Sequence, residues 1–156
     1  MLDVDVPGFG SLKLEYLVCD FTGTLSLDGT LLPQVKEKLN QIARFLKVIV
    51  LTADEFGTAE TELKGVSCEV HIVKGNAIDV QKAEYVKSLG SDRVVAFGNG
   101  LNDRAMLKTA KLGVIVVGGE GCAVESLMAA HVLVANVVDG LDLLIHPRRL
   151  RATLKF

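Results

Sequence analysis

Tyr16-Leu17-Val18-Cys19 runs directly into Asp20-Phe21-Thr22-Gly23-Thr24-Leu25, and that junction decides the fold. Four strand-forming residues without polar alternation describe a strand buried on both faces, the kind held between two layers of helix in a parallel sheet. Further apolar runs of the same kind stand at 48–51, 70–73, 94–97, 114–117 and 132–134. Segments of helical period separate them. Leu32, Val35, Leu39, Ile42 and Leu46 step by three and four, with Pro33 suited to a first helical turn. Asn76 can cap a second helix whose inner face carries Val80, Ala83, Val86 and Leu89, and Gly90 ends it. Residues 102–110 and 120–130 read as two more helices, and 141–145 as a short last one. Strands alternating with helices predict an α/β fold: a three-layer, Rossmann-like parallel sheet with right-handed crossovers.

Two hairpins fall outside that alternation. One lies within residues 1–14, where Val4-Asp5-Val6 and Leu12-Lys13-Leu14 flank Pro7-Gly8-Phe9-Gly10. The other is centred on Asp28-Gly29, a two-residue hairpin turn, and would form a small flap over the end of the first sheet strand. At the other terminus Arg148, Arg149, Arg151 and Lys155 read as a solvated basic tail.

Composition narrows the function classes. The 156 residues suit a single domain, 1–156, and 49% of them are hydrophobic, enough to offset the entropy of ordering the chain. A net charge of −2 lacks the cationic footprint of a nucleic-acid binder. Cys19, Cys68 and Cys122 sit among apolar residues and read as reduced packing residues. Asp3 and Asp5 near the N-terminus argue against a signal peptide. The apolar stretch 112–138 is broken by glycines, Glu120, Glu125 and His131, so it does not read as a membrane span. The expectation is a soluble, cytoplasmic protein with no membrane partner.

In an open parallel sheet, ligands bind beyond the carboxyl ends of the strands. Asp20 to Thr24 follow the first strand, Thr52-Ala53-Asp54 the second, and Gly98-Asn99-Gly100-Leu101-Asn102-Asp103 the fourth. Lys74 follows the third strand, and Lys82 lies in the helix behind it. Each alone has an ordinary structural explanation. Strand-end Asp and Thr are turn formers and caps, helix lysines are solvated, and Gly-Asn-Gly is turn chemistry. Their joint arrival at one sheet edge is what those explanations leave over.

The sequence here resembles the haloacid dehalogenase-like superfamily, whose first motif matches Asp20-Phe21-Thr22-Gly23-Thr24-Leu25. Thr two residues after the Asp is similar to the phosphorylation motif of P-type ATPases. The resemblance continues through Gln81-Lys82, the run from Val94 to Asp103, and Leu112 to Val116 with the turn Gly118-Gly119-Glu120-Gly121. It resembles in particular the small, soluble P-type ATPase-like members. The resemblance implies a magnesium-dependent phosphatase acting on a small phosphorylated substrate, in which Asp20 attacks phosphorus and becomes an aspartyl phosphate. It further implies Asp20, Thr22, Thr52 and Lys82 as catalytic residues. Phe21, Gly23, Thr52, Ala53, Lys82 and Asn102 would surround the phosphate. Asp20, the Thr22 carbonyl and Asn99 would hold magnesium, with Asp103 close by. Lys74 is the weaker candidate for the role of Lys82.

Two departures from the family pattern bear on activity. Phosphatases of the superfamily carry a second Asp where this chain has Thr22, which has no group to protonate a leaving group. Asn99 stands where the family has Asp, which removes a negative charge from the metal side and implies weaker magnesium binding. About thirty residues separate Asp20 from Thr52 and Thr52 from Lys82, too few for a cap or nucleotide-binding domain. A capless phosphohydrolase is therefore expected. The alternatives are a weakly active phosphate-binding or regulatory module, and a phosphotransferase partner of a membrane ATPase. An open site also makes a homo-oligomer, with a neighbour as lid, a possible arrangement.

Overall fold

Each apolar run becomes a strand of one sheet. In the computed structural model, which describes residues 1–156, the chain opens with an antiparallel hairpin, β1 (Leu2–Val6) and β2 (Gly10–Leu14), and enters the sheet at β3 (Tyr16–Cys19). A miniature hairpin follows, β4 (Ser26–Leu27) and β5 (Thr30–Leu31), then α1 (Val35–Ile42) and β6 (Lys47–Thr52). A short α2 (Ala59–Glu62) leads to β7 (Glu69–Ile72), α3 (Ile78–Leu89) and β8 (Val94–Gly98). The chain ends with α4 (Arg104–Thr109), β9 (Leu112–Val116), α5 (Val124–Ala129), β10 (Val132–Val134), α6 (Val137–Ile145) and α7 (Pro147–Leu154).

The sheet is six-stranded and parallel in the order β10-β9-β8-β3-β6-β7. The chain starts at the centre, builds outward through β6 and β7, then crosses back to β8. Strand order therefore reverses between β3 and β8, where the crevice of a doubly wound sheet opens. Successive strand residues serve opposite faces. Leu17, Cys19, Val48, Val50, Val95 and Phe97 pack with α1, α6 and the N-terminal hairpin, while Val18, Ile49, Leu51, Val94, Ala96 and Ile115 pack with α3 and α4. Helices thus cover both faces, giving the three layers expected.

The flap hairpin forms as its sequence requires: Asp28 and Gly29 take φ of 51° and 78°, the positive pair of a type I′ turn. Several local expectations change. Pro33 is outside α1, because the Leu32 N–H bonds to the Leu25 carbonyl and keeps the chain with the flap until a left-handed Gln34 starts the helix. Asn76 does not cap α3; that place belongs to Ala77, at φ 55°, while the Gln81 side chain donates to the Lys74 and Asn76 carbonyls. Nor does Val80 face inward. It is 51% exposed, and Lys82, at 1%, takes the inner face beside Ala83 and Val86. The helix expected over 120–130 begins only at Val124, and the one expected over 141–145 begins at Val137, with Asn136 accepting from the Asp139 N–H as its cap. Finally, the basic tail is a helix. Leu150 of α7 is fully buried, and Arg151 Nε donates to the Asp5 carbonyl, which docks α7 on the N-terminal hairpin.

Candidate active site

Asp20 occupies the first position beyond β3. Its N–H still bonds to the Phe97 carbonyl of β8, so the sheet ladder fixes its backbone while its side chain leaves the sheet. The next turn closes on one atom: the Phe21 carbonyl accepts from the N–H groups of Thr24, Leu25 and Ser26 and from the Ser26 hydroxyl. The Phe21 side chain is fully buried in the core. Gly23 has φ 78°, and a Cβ there would lie 2.4 Å from Asn99 Nδ2, so glycine serves both the turn and the close approach of the two loops.

Beneath Asp20 sits Lys82. Its Nζ lies 2.9 Å from Asp20 Oδ1, 2.8 Å from Asp103 Oδ1 and 3.4 Å from Asn102 Oδ1. Lys82 is 1% exposed, Asp20 5% and Asp103 0%, so one ammonium is shared by two buried carboxylates. Asp103 Oδ2 also accepts from the N–H groups of Asn99 and Gly100, 3.0 Å each, which closes the loop after β8 around it. Asp20 Oδ2 lies 3.4 Å from the Thr24 hydroxyl. Burial first, and then the neighbouring charge of Asp103, push the Asp20 carboxyl up to about 7, against the pull of Lys82. Burial disfavours the Lys82 charge, but the two carboxylates outweigh it and hold the ammonium well above its ordinary value. The direct contacts identify Lys82 as the charged member throughout and Asp20 as the carboxylate whose charge is costly. Such a cluster adds little to stability.

Above these groups opens a cleft of about 670 Å³, walled by Asp20, Thr22, Thr52, Ala53, Asn99 and Asn102 among others. Thr52 is fully buried, and its Oγ1 accepts from the Asp54 N–H at 2.9 Å, which leaves the hydroxyl proton free to donate. Thr22 Oγ1 is shielded from solvent and has no hydrogen-bond partner. Lys82, Asp103, Phe21 and Gly23 lie behind this wall rather than on it. Lys74 is exposed and away from the cleft, so Lys82 alone reaches Asp20.

The mouth adds Glu55 and Asp79, which the sequence did not single out, to Asp54 and Glu120, which it placed at a strand end and a turn without a role. Asp54, Glu55, Asp79 and Glu120 line it, and no Lys, Arg or His does. Glu120 Oε2 also accepts from the Asp28 N–H, tying the flap to the loop after β9. Thr24 was missed as well; its position in the first motif was visible, but its long-range contact with Asn99 was not. No set of three His, Cys, Asp or Glu side chains could cage a metal ion. The donors present are hard oxygens with few carboxylates, including Asp20 Oδ2 and the unpartnered Thr22 Oγ1, which fits an ion that keeps much of its water, as magnesium does.

Comparison with known proteins bears on the family and the fold. The family of haloacid dehalogenase-like hydrolases matches residues 63–141, half of the chain. An uncharacterized protein of Methanocaldococcus jannaschii is 39% identical over 70 residues, covering 45% of this chain and 75% of that protein. A probable copper-exporting P-type ATPase of Archaeoglobus fulgidus is 34% identical over 106 residues, 67% of this chain but only 13% of the ATPase. Among solved structures, the 3-deoxy-D-manno-octulosonate 8-phosphate phosphatase of Moraxella catarrhalis, determined with magnesium and phosphate, superimposes with a TM-score of 0.70 at 16% identity, over 92% of this chain and 95% of that one. That identity speaks to the fold alone. No helix is long and apolar enough to cross a membrane. With the doubly wound sheet, the motif order along the strand ends and the family match all in agreement, the chain belongs to the haloacid dehalogenase-like hydrolases.

Proposed function

We propose that this chain is a magnesium-dependent phosphate-monoester hydrolase that works through a phosphorylated Asp20. The observation that carries the reading is the state of Asp20: the residue lines the cleft, Oδ1 is held by buried Lys82, and Oδ2 has a 3.4 Å contact with the Thr24 hydroxyl. Oδ2 attacks phosphorus, the ester oxygen departs, and an acyl phosphate remains on Asp20. Water then attacks that phosphorus, releasing inorganic phosphate and restoring the carboxylate. Lys82 stays protonated throughout and balances charge next to the nucleophile. The Thr52 hydroxyl and the Asn102 amide donate to phosphoryl oxygens, with Ala53 contributing backbone to the same pocket, while Phe21 and Gly23 shape the turn behind it. Asp20, Thr22 and Asn99 would hold magnesium, with Asp103 behind them; bound there, the ion neutralises repulsion between carboxylate and phosphate. No carboxyl group stands at Thr22 to protonate the leaving group, so leaving groups that depart without help are favoured.

The acidic mouth refines the substrate class. A wall bearing Asp54, Glu55, Asp79 and Glu120, without a cation, repels polyanions and suits a single phosphate on a neutral or cationic leaving group. The test is hydrolysis of p-nitrophenyl phosphate with and without magnesium, followed by an aryl phosphate bearing an ammonium group against an aryl bisphosphate. Metal-dependent turnover with preference for the ammonium-bearing ester is expected. Phosphate binding without turnover would favour the regulatory-module reading instead.

A further inference from the structure

Thr24 and Ser26 occupy the same turn, yet their hydroxyls do different things. Ser26 Oγ donates to the Phe21 carbonyl at 2.9 Å and so closes its own turn, the usual work of a hydroxyl in a loop. Thr24 is fully buried, and its Oγ1 reaches across the fold instead, 3.1 Å from Asn99 Oδ1 and 3.4 Å from Asp20 Oδ2. One hydroxyl proton serves one acceptor at a time, and the shorter contact assigns it to Asn99. The Asn99 amide is fixed from its other end as well. Its Nδ2 donates to the Gly121 carbonyl at 3.1 Å, and the residue's backbone carbonyl accepts from the Ala123 N–H at 2.8 Å, which anchors the main chain beneath it. A flipped amide would set Oδ1 against the Gly121 carbonyl, so the carboxamide has one orientation, with its oxygen turned toward Thr24 and Asp20.

We propose that Thr24 is a positioning residue, whose hydroxyl donates to Asn99 Oδ1 and so fixes the Asn99 carboxamide oxygen beside Asp20 Oδ2. The assignment rests on the phosphatase reading for its kinetic consequence, but the bracket itself is a property of the folded chain. Thr24→Val keeps shape and removes the hydroxyl. Asn99 Oδ1 then loses its hydroxyl donor, while Thr52 and Asn102 remain to bind phosphate. Turnover should fall and substrate affinity should not.

The experiment compares the wild type, Thr24→Val and Thr24→Ser in two readouts. The first is hydrolysis of p-nitrophenyl phosphate with magnesium. Thr24→Val should lower kcat by about 10–100-fold, the usual cost of removing a group that orients a reacting residue, with KM within about twofold. Thr24→Ser, which restores the hydroxyl, should recover most of kcat. The second readout is the Asn99 side-chain NH₂ pair in ¹⁵N-labelled protein without substrate or metal, identified by its disappearance in Asn99→Asp. It should move in Thr24→Val and hold in Thr24→Ser. Wild-type kcat in Thr24→Val, or Asn99 amide signals that coincide with wild type, overturns the proposal. So does equal loss in Thr24→Val and Thr24→Ser at matched melting temperatures. If the wild type hydrolyses no ester, the phosphatase reading fails alone, and the amide comparison still decides the bracket. Should Thr24→Val not fold, Thr24→Ala gives the same amide comparison.

Discussion

The bodies of β3 and β8 and the few residues beyond their carboxyl ends lie side by side and obey different rules. Along the bodies, Leu17, Val18, Val95 and Ala96 are buried apolar groups that need only volume and the right face. Exchange for another apolar residue of similar size there costs less than about 1.5 kcal/mol. Past the ends, Asp20, Asp103 and Lys82 are equally buried, and the oxygens and ammonium depend on particular partners. The sheet body secures the fold with redundancy. The edge has none, and it concentrates two carboxylates on one ammonium at some expense to stability.

The strongest way to sharpen this contrast is Asp20→Asn. Turnover of p-nitrophenyl phosphate should fall to background, while the urea midpoint should stay level or rise, because the remaining Lys82–Asp103 pair is balanced. A clearly lower midpoint would make Asp20 a structural residue and erase the contrast. Thr22→Asp places a carboxyl in the cleft wall, where a shielded, unpartnered hydroxyl now stands. It should speed poor leaving groups more than good ones, by up to about 10²–10⁴-fold; a flat response across a leaving-group series would remove Thr22 as the limiting feature.

Breaking the edge and the body separately is the next test. Lys82→Met strands two buried carboxylates, so about 3–5 kcal/mol of stability should go, with kcat down about 10²–10³-fold. Leu17→Ala leaves a cavity and should cost a comparable 2–5 kcal/mol, roughly, yet spare kcat per folded molecule. Similar kcat losses in both would show that edge and body are one unit. The smallest effect is expected from Asn99→Asp. It adds charge beside Asp20, so the magnesium concentration for half-maximal rate should fall. It also sets a carboxylate against the Gly121 carbonyl, at a cost of about 1–3 kcal/mol in urea unfolding. An unshifted magnesium midpoint would count against Asn99 as a ligand.

The same contrast explains what could be read from the residues alone. Apolar runs announce strands without tertiary information, so all six strands of the sheet and both hairpins were legible. Which face a helix buries was not always legible. Period arguments put Val80 of α3 inside, but the Asp20–Lys82–Asp103 cluster makes Lys82 the inward residue and turns Val80 to solvent. The left-handed starts at Gln34 and Ala77 were hidden for a similar reason: neither residue favours that backbone, and the neighbouring loops impose it. The basic C-terminal residues read as a tail because Leu150 and Leu154 alone make a weak pattern, and only the docked hairpin gives α7 a surface to cover. At the site, the motif positions of Asp20, Thr22, Thr52, Lys82 and Asn99 were visible, and Lys82 could be favoured over Lys74. The acidic mouth was not visible, since Asp54, Asp79 and Glu120 come from loops and helix starts far apart in the chain.

The most direct test of Asp20 as a covalent nucleophile is to trap it. The wild-type protein is mixed with p-nitrophenyl phosphate and magnesium, quenched in acid within one turnover, digested at low pH and examined by mass spectrometry. A phosphoryl adduct on the peptide bearing Asp20, absent from Asp20→Asn treated identically, is the predicted result. Turnover with no adduct on that peptide, or an adduct that persists in Asp20→Asn, would contradict the account.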